Sequence, residues 1–367
     1  MKRFAFRLDA GLEIGLGHLM RSLTLADELA RQGHACHFIM REGLGYTGRH
    51  VLQRGHSLHG LPVAKITEYG AHPAAPPHAS WLGAGWQADA QATAKILAGI
   101  RPEWLVLDHY ALDAEWEKLA LPVGAKLLVI DDLADRPHIS DVLLDQNLGR
   151  KAADYGARVP EACALLIGPE YALLRPAFSQ LRAVSLARRS PPKLAHILVT
   201  MGGVDKDDIT SGVLEVLAKA ALPKGAHITV VMGAQAPALA AVRQRAAGMA
   251  VPTRVLVNID NMAEVMASAD LAIGAAGSTS WERCCLGLPT LMLTLADNQA
   301  PLAEALAIGK AAINVADVRS PSWQAALTRA LGALEVNTLL QLSSNARTIT
   351  NGKGSAACVQ VLEREQR

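Results

Sequence analysis

The chain has 367 residues, of which 50% are hydrophobic and 19% charged, a globular composition at a length where one core stops growing and two domains of comparable size are expected. Lys plus Arg number 36 against 34 Asp plus Glu, a formal charge of +2, and this balance excludes a broad nucleic-acid surface. No apolar run reaches bilayer length and Met1 to Arg7 lacks the hydrophobic stretch of a secretory signal, so a cytoplasmic location without membrane insertion is expected.

The first strand candidate is Phe4 to Leu8, followed by the turn Gly15-Leu16-Gly17-His18 and a helix from His18 to Gln32, where Leu19, Leu23, Ala26 and Ala30 recur at helical spacing. Gly33 stops that helix. Strands are predicted at Cys36 to Met40, Trp104 to Asp108 and Leu127 to Asp131, with helical segments Gln91 to Ile100 and Ala114 to Leu119 between them. The Ala-, Pro- and His-rich stretch Tyr69 to Gln87 reads as a surface excursion. The basic, proline-containing segment Ser185 to Lys193 reads as a linker between domains 1–185 and 193–367.

Beyond it the alternation restarts. Strands are expected at His196 to Thr200, Ile228 to Met232, Arg254 to Val257, Leu271 to Ile273 and Thr290 to Leu295. Helices are expected at Ile209 to Ala220, Pro237 to Ala247, Met262 to Ala269, Ser278 to Leu286 and Ala300 to Ile308. Apolar strands separated by helices predict parallel sheets covered on both faces. The fold class is therefore α/β, two doubly wound Rossmann-like domains facing a cleft.

Ligands of such sheets bind at the carboxyl ends of the strands. Five loops fit that position: Gly15 to His18, Asp108-His109-Tyr110, Met201-Gly202-Gly203, Gly277-Ser278-Thr279 and Ala296-Asp297-Asn298-Gln299. Glycine turns at helix starts offer backbone N–H groups to an anion. Of the two glycine turns that open helices, Gly15 to His18 and Gly274 to Thr279, only the first carries an imidazole, and a histidine at the positive end of a helix has its protonated form disfavoured, which suits a proton acceptor. That loop does not match G-x-G-x-x-G, because no third glycine follows at the required spacing.

Each residue has a structural alternative. His18 could cap its own helix, and Asp108 could hold a loop through backbone hydrogen bonds. Tyr110 could bond a sugar hydroxyl or orient His18. Glu282 could accept from ribose hydroxyls or stabilise a helix dipole, and Asn298 and Gln299 could be caps. The five cysteines, Cys36, Cys163, Cys284, Cys285 and Cys358, are odd in number and include no Cys-x-x-Cys, so they read as buried apolar residues in a reducing compartment. No His/Cys/carboxylate spacing suggests a metal.

The set Arg7-Leu8-Asp9-Ala10, Ile14 to Arg21, Asp108-His109-Tyr110, Met201 to Asp205, Gly277 to Glu282 and Asn298-Gln299 resembles, in the same order and over nearly the whole chain, the UDP-2,4-diacetamido-2,4,6-trideoxy-β-L-altropyranose hydrolase family of pseudaminic acid biosynthesis. Its individual glycine loops are shared with GT-B glycosyltransferases. The Tyr69 to Gln87 stretch and parts of the C-terminus depart from the pattern. The resemblance implies a GT-B-like, metal-independent hydrolase without a cofactor, acting on a small-molecule UDP-sugar. By position it implies His18 as catalytic residue, Tyr110 and Asn298 near the sugar, and Gly17, Gly202, Gly203, Ser278, Thr279, Glu282 and Gln299 as further substrate contacts. A GT-B glycosyltransferase and a nucleotide-sugar-binding regulator are the alternatives; release of UDP without any acceptor separates them.

Overall fold

The computed structural model describes residues 1–11, 14–43, 48–62 and 76–364. The chain divides into unit 1, Met1–Leu173 with the segment from Gly354 onward, and unit 2, Leu174–Lys353. Unit 1 contains β1 (Arg3–Leu8), α1 (Gly17–Arg31), β2 (Ala35–Arg41), α2 (Arg49–Gln53), β3 (Ser57–Leu61), α3 (Trp86–Ile100), β4 (Trp104–Asp108), α4 (Ala114–Ala120), β5 (Lys126–Ile130), β6 (Val142–Asp145) and β7 (Ala164–Ile167). Unit 2 contains α5 (Pro176–Arg188), β8 (His196–Thr200), α6 (Ile209–Lys219), β9 (His227–Met232), α7 (Leu239–Ala247), β10 (Thr253–Val257), α8 (Met262–Ser268) and β11 (Leu271–Ala275). It continues through α9 (Thr279–Cys285), β12 (Thr290–Thr294), α10 (Ala300–Ile308), β13 (Ile313–Asp317), α11 (Trp323–Gly332) and α12 (Val336–Ile349). The last helix, α13 (Gly354–Arg364), returns to unit 1.

Unit 1 is built on a seven-stranded sheet of order β3-β2-β1-β4-β5-β6-β7, and unit 2 on a six-stranded sheet of order β10-β9-β8-β11-β12-β13. All strand pairs are parallel, so all carboxyl ends of a sheet share one edge. Each is an α/β, doubly wound, Rossmann-like unit. The order reverses between β1 and β4 in unit 1 and between β8 and β11 in unit 2, the position where such sheets open a ligand crevice.

The strands read as continuous apolar runs because both faces are covered. Phe4, Phe6 and Val106 pack into one apolar layer of unit 1, while Ala5, Leu105 and Leu107 pack into the other. Phe6 and Phe38 stack at 4.8 Å, and burying each ring contributes about 1.5–3 kcal/mol. In α1 the buried face carries Leu19, Leu23, Ala26 and Leu29. Ala30, expected on that face, is exposed.

The expected linker is corrected: the chain crosses at Leu173/Leu174, and residues 185–193 lie inside unit 2. Its two arginines are docked, while Lys193 is exposed. Arg188 pairs with Asp270 at 2.7 Å, and Arg189 donates to Met266 O and Ala269 O at 3.2 and 3.1 Å. The C-terminal boundary is corrected too, because Cys358, Val359 and Leu362 of α13 join the cluster of Phe4, Leu19 and Trp104. Of the Tyr69 to Gln87 excursion, 69–75 lie outside the described residues; Ala79–Leu82 form a 3-10 turn, and Trp86 and Gln87 already belong to α3. Cys36, Cys284, Cys285 and Cys358 are buried free thiols, Cys163 is partly buried, and no described helix is long and apolar enough to cross a membrane.

Candidate active site

Four strands of unit 1 end on carboxylates at one edge: Asp9 follows β1, Asp108 closes β4, Asp131 and Asp132 follow β5, and Asp145 closes β6. The sequence carries this as four apolar runs ending Leu-Asp, Leu-Asp, Ile-Asp-Asp and Leu-Asp, a signal that periodicity alone passes over.

The loop after β1 delivers His18. Gly15, at φ +78°, lets the loop pinch so that its N–H donates to Gly11 O at 2.9 Å, and α1 starts two residues later. Gly17 is the exposed first residue of that helix and His18 the buried second.

His18 Nδ1 lies 2.5 Å from Asp108 Oδ1. The same carboxylate takes Arg21 in a two-point fork at 2.6 and 2.7 Å and the Ser22 hydroxyl at 3.1 Å. Burial alone would raise the Asp108 pKa, but Arg21 and then His18 hold it below the ordinary carboxylate range. An ionised carboxylate only accepts. Nδ1 of His18 therefore carries a proton towards Asp108, and Nε2 has no hydrogen-bond partner among the described residues. The expectation that Asp108 might serve only its loop is replaced by this arrangement: it fixes the tautomer and orientation of the imidazole, as the carboxylate of a catalytic triad does.

Around this pair, Arg21 also reaches Asp132, and the Tyr110 hydroxyl donates to Asp132 Oδ2 at 2.7 Å. Tyr110 is buried, its ring edge-on to His18 at 4.5 Å. Burial and then the Asp132 charge push the phenol well above its ordinary pKa. The Tyr110 hydroxyl proton is committed to Asp132, which leaves its oxygen able only to accept. His78 and Trp81, read as part of a surface excursion, lie 5.5 and 5.9 Å from the Tyr110 ring.

A second buried network braces the loop. Arg7 grips Asp9 at 2.7 and 2.9 Å and Asp89 at 2.7 and 3.3 Å. Asp89 also takes Arg41 at 2.5 Å and the Trp116 indole N–H at 2.9 Å. Burial opposes ionisation of both acids, but Arg7 dominates and lowers both. His109 is buried as well. Its Nδ1 accepts from Ala111 N at 3.0 Å, and its Nε2 faces Asp9 Oδ2 at 3.3 Å without hydrogen-bonding alignment. Asp145 differs: burial, then the charge of Asp132, pushes it up to about 6 despite Tyr155 and Arg150 at 2.8 and 2.7 Å.

In unit 2, the loop after β8 places Gly202 at φ +92° and exposes Gly203. Gly203 O accepts from Gly233 N at 2.9 Å, and a Cβ on Gly233 would come within 2.2 Å of that oxygen, so the loops after β8 and β9 touch main chain to main chain. Asp205 accepts from Ile209 N and Thr210 N at 3.0 Å each and is occupied as a cap.

The loop after β11 leaves Ser278 exposed and Thr279 half-buried, and open space surrounds Gly277. The N–H groups of Gly277, Ser278 and Thr279 have no partner among the described residues, which leaves them available to an acceptor. Glu282 sits on the first turn of α9. Burial pushes its carboxyl up to about 7, opposed by Arg175, whose Nη2 is 3.8 Å away, and by Arg283. After β12, Gln299 Oε1 accepts from Leu295 N at 3.0 Å, so its carbonyl closes its own loop. Asn298 is exposed. Unit 1 thus gathers His18 and Tyr110, and unit 2 carries Gly202, Gly203, Ser278, Asn298 and Gln299 on carboxyl-end loops, with Thr279 and Glu282 on the first turn of α9. Among the described residues no group of three or more His, Cys, Asp or Glu side chains is placed to hold a metal ion.

Residues 196–324 match the Glycosyltransferase family 28 C-terminal domain. The chain is similar to the UDP-2,4-diacetamido-2,4,6-trideoxy-β-L-altropyranose hydrolase of Campylobacter jejuni, 27% identical over 274 residues that cover 74% of this chain and 84% of that protein. Among solved structures it is similar to MurG of Acinetobacter baumannii, with a TM-score of 0.72 and 16% identity over 99% of this chain and 100% of that one. TcCGT1, solved in complex with UDP, gives a TM-score of 0.65 at 12% identity over 100% and 99% of the two chains. The two Rossmann-like units are those of the GT-B fold, and the resemblance to the hydrolase family drawn from the motifs is met by a curated relative along most of its length.

Proposed function

We propose that this GT-B enzyme hydrolyses UDP-2,4-diacetamido-2,4,6-trideoxy-β-L-altropyranose to UDP and the free diacetamido sugar. The observation that carries the reading is the His18–Asp108 pair: a buried imidazole whose Nδ1 is held at 2.5 Å by an ionised carboxylate and whose Nε2 is free to take a proton. A water deprotonated by Nε2 attacks the anomeric carbon from the face opposite UDP; the C–O bond to the diphosphate breaks and configuration inverts. Asp108 stabilises the imidazolium that forms. The proton then passes to solvent, and UDP leaves as the charged diphosphate.

Unit 2 supports the leaving group. The main-chain amides at Gly277, Ser278 and Thr279 receive the diphosphate, Gly202 and Gly203 allow the ligand close to the backbone, and Glu282 accepts from the ribose hydroxyls. Asn298 and the free amide N–H groups of Gln299 bind the sugar side or its N-acetyl arm. The reaction is supported by the relative's activity, and the residue roles by the position of each loop at a strand carboxyl end.

Carrying the reaction out in water labelled with heavy oxygen tests it. The label is expected in the sugar; label in the β-phosphate of UDP means attack at phosphorus and rejects the mechanism. The match of unit 2 to a glycosyltransferase domain favours a second reading, transfer of the sugar to an acceptor. UDP release in the absence of any acceptor supports hydrolysis, and strict dependence on an acceptor supports transfer.

Glu282 gives a pH signature. With its carboxyl pushed up to about 7, the carboxylate that accepts two ribose hydroxyls is the minor form below neutrality and the major form above it. UDP binding is expected to tighten by several-fold between about pH 6 and pH 8, and Glu282→Gln to flatten that profile. Titration calorimetry across the range checks this, and an unchanged slope in the variant assigns the pH dependence elsewhere.

A further inference from the structure

Buried guanidinium groups in this chain come with acids: Arg7 with Asp9 and Asp89, Arg21 with Asp108 and Asp132, Arg136 with Asp131 and Asp135. Among the described residues, Arg189 and Arg283 are buried with no carboxylate in ion-pair reach. Arg189 is answered by the carbonyls of Ser185, Met266, Ala267 and Ala269, three of which form the negative end of α8. Arg283 has far less.

Arg283 is 1% exposed. It meets a single carbonyl, Ala275 O at 2.7 Å, and two hydroxyls, Ser280 Oγ at 2.9 Å and Thr279 Oγ1 at 3.3 Å, while its Nε is buried without a partner. Glu282, its neighbour in sequence, forms its ion pair with Arg175 instead. Burial pushes the guanidinium down to about 10, so the group stays charged at neutral pH. Its place is the strand-order reversal between β8 and β11: a Cβ on Gly274 would come within 2.4 Å of Nη1 and 3.0 Å of Thr200 O. Glycine at 274 is therefore what lets the guanidinium reach behind the turn. A buried cation left without an anion is costly, and the turn that Arg283 holds through Ala275 and Thr279 carries main-chain amides, at Gly277 to Thr279, that have no partner among the described residues and also favour an anion.

We propose that Arg283 is the charge-positioning residue of the nucleotide site: locked behind the Gly274–Thr279 turn by Ala275, Thr279 and Ser280, it supplies the positive field that a nucleoside diphosphate completes, and so sets the preference for the diphosphate over the uncharged nucleoside. The inference rests on the reading of this turn as the UDP site. Arg283 acts through the turn and through space, and no contact of its own with the ligand is required. Arg175 pairs with Glu282 at 3.8 Å, the residue read as the ribose contact.

The test measures Kd for UDP and for uridine by calorimetry with the full chain, as wild type, Arg283→Gln and Arg283→Lys. The ratio of the two constants is the readout. In Arg283→Gln the preference for UDP is expected to fall about tenfold or more, a change of roughly 1.4 kcal/mol per tenfold, with uridine binding unchanged. Equal weakening of both ligands, or an unchanged ratio, overturns the proposal and leaves Arg283 a packing residue. Should the glutamine variant fail to fold, Arg283→Lys decides by pH. A buried lysine loses its proton far more readily than a guanidinium, so the preference is expected to decline between about pH 7 and pH 9 in that variant while wild type, whose Arg283 stays largely charged over that range, holds nearly level; parallel profiles overturn the proposal. Failure of the wild type to bind UDP at all rejects the functional reading itself, whereas binding with an unaltered ratio rejects only the role of Arg283.

Discussion

Replacing His18 with asparagine is expected to lower turnover by about two to four orders of magnitude, the usual worth of a general base, while UDP binding to unit 2 stays within a few-fold. Asparagine keeps a polar group near Asp108 but offers no nitrogen able to take a proton at neutral pH. Asp108→Asn is the sharper companion. An amide in place of the carboxylate can donate to Nδ1, which reverses the tautomer and turns Nε2 from acceptor to donor, so a loss of similar order is expected although every ring atom remains. The same substitution leaves Arg21 with Asp132 as its one remaining acid, so its melting temperature is to be measured alongside. Steady-state release of UDP from the sugar nucleotide gives both rates. Near-normal turnover in either variant returns His18 to a structural role.

The second large effect concerns stability. Replacing Arg7 with methionine strands Asp9 and Asp89, both buried, of which Asp89 alone keeps another cation, Arg41. Removing one partner of a buried ion pair costs about 3–5 kcal/mol because the other charge is left in a medium of low dielectric. For a unit of this size that is a fall in melting temperature of roughly 6–20 °C, measurable by calorimetry as a shift of one transition. The pH dependence has a definite sign. Asp9 and Asp89 have folded-state pKa values below those of the unfolded chain, so their contribution is complete above about pH 4 and is lost as pH falls through the depressed values. In wild type, unit 1 should therefore lose stability on acidification below about pH 4, and Arg7→Met should show a much shallower loss over that range. A methionine variant as stable as wild type at neutral pH would mean that the arginine contributes no net pairing.

The alternation of apolar runs and helices was readable because parallel strands covered on both faces are apolar throughout, as in Trp104–Asp108 and His196–Thr200. Short strands such as β6 and β7 were not, because four residues give too little pattern to separate a strand from a turn. The linker reading failed for a related reason. A stretch of arginines beside two prolines looks solvated in a list of residues, yet Arg188 and Arg189 have a carboxylate and helix-end carbonyls to meet. In the candidate site, His18 stood out because a glycine turn and a helix start announce themselves locally. Asp108 as its partner, Arg21 as the clamp and Asp132 as the shared acid did not, since the pairs His18–Asp108, Arg21–Asp108 and Arg21–Asp132 are separated by 87 to 111 residues.

What the sequence determined alone is therefore local: where most of the longer strands and helices lie, where glycine turns sit at strand ends, and that an imidazole opens the first long helix. These follow from periodicity and backbone sterics over a few residues. The tertiary structure decided which charges meet. The β3-β2-β1-β4 order of unit 1 sets β1 beside β4, and only that adjacency lets a histidine after the first strand share a carboxylate at the end of the fourth. It also decided that the last helix closes the first core, where burial of Cys358, Val359 and Leu362 outweighs their distance along the chain. Ion pairing and apolar burial depend on separation in space, and strand order, not sequence spacing, sets that separation.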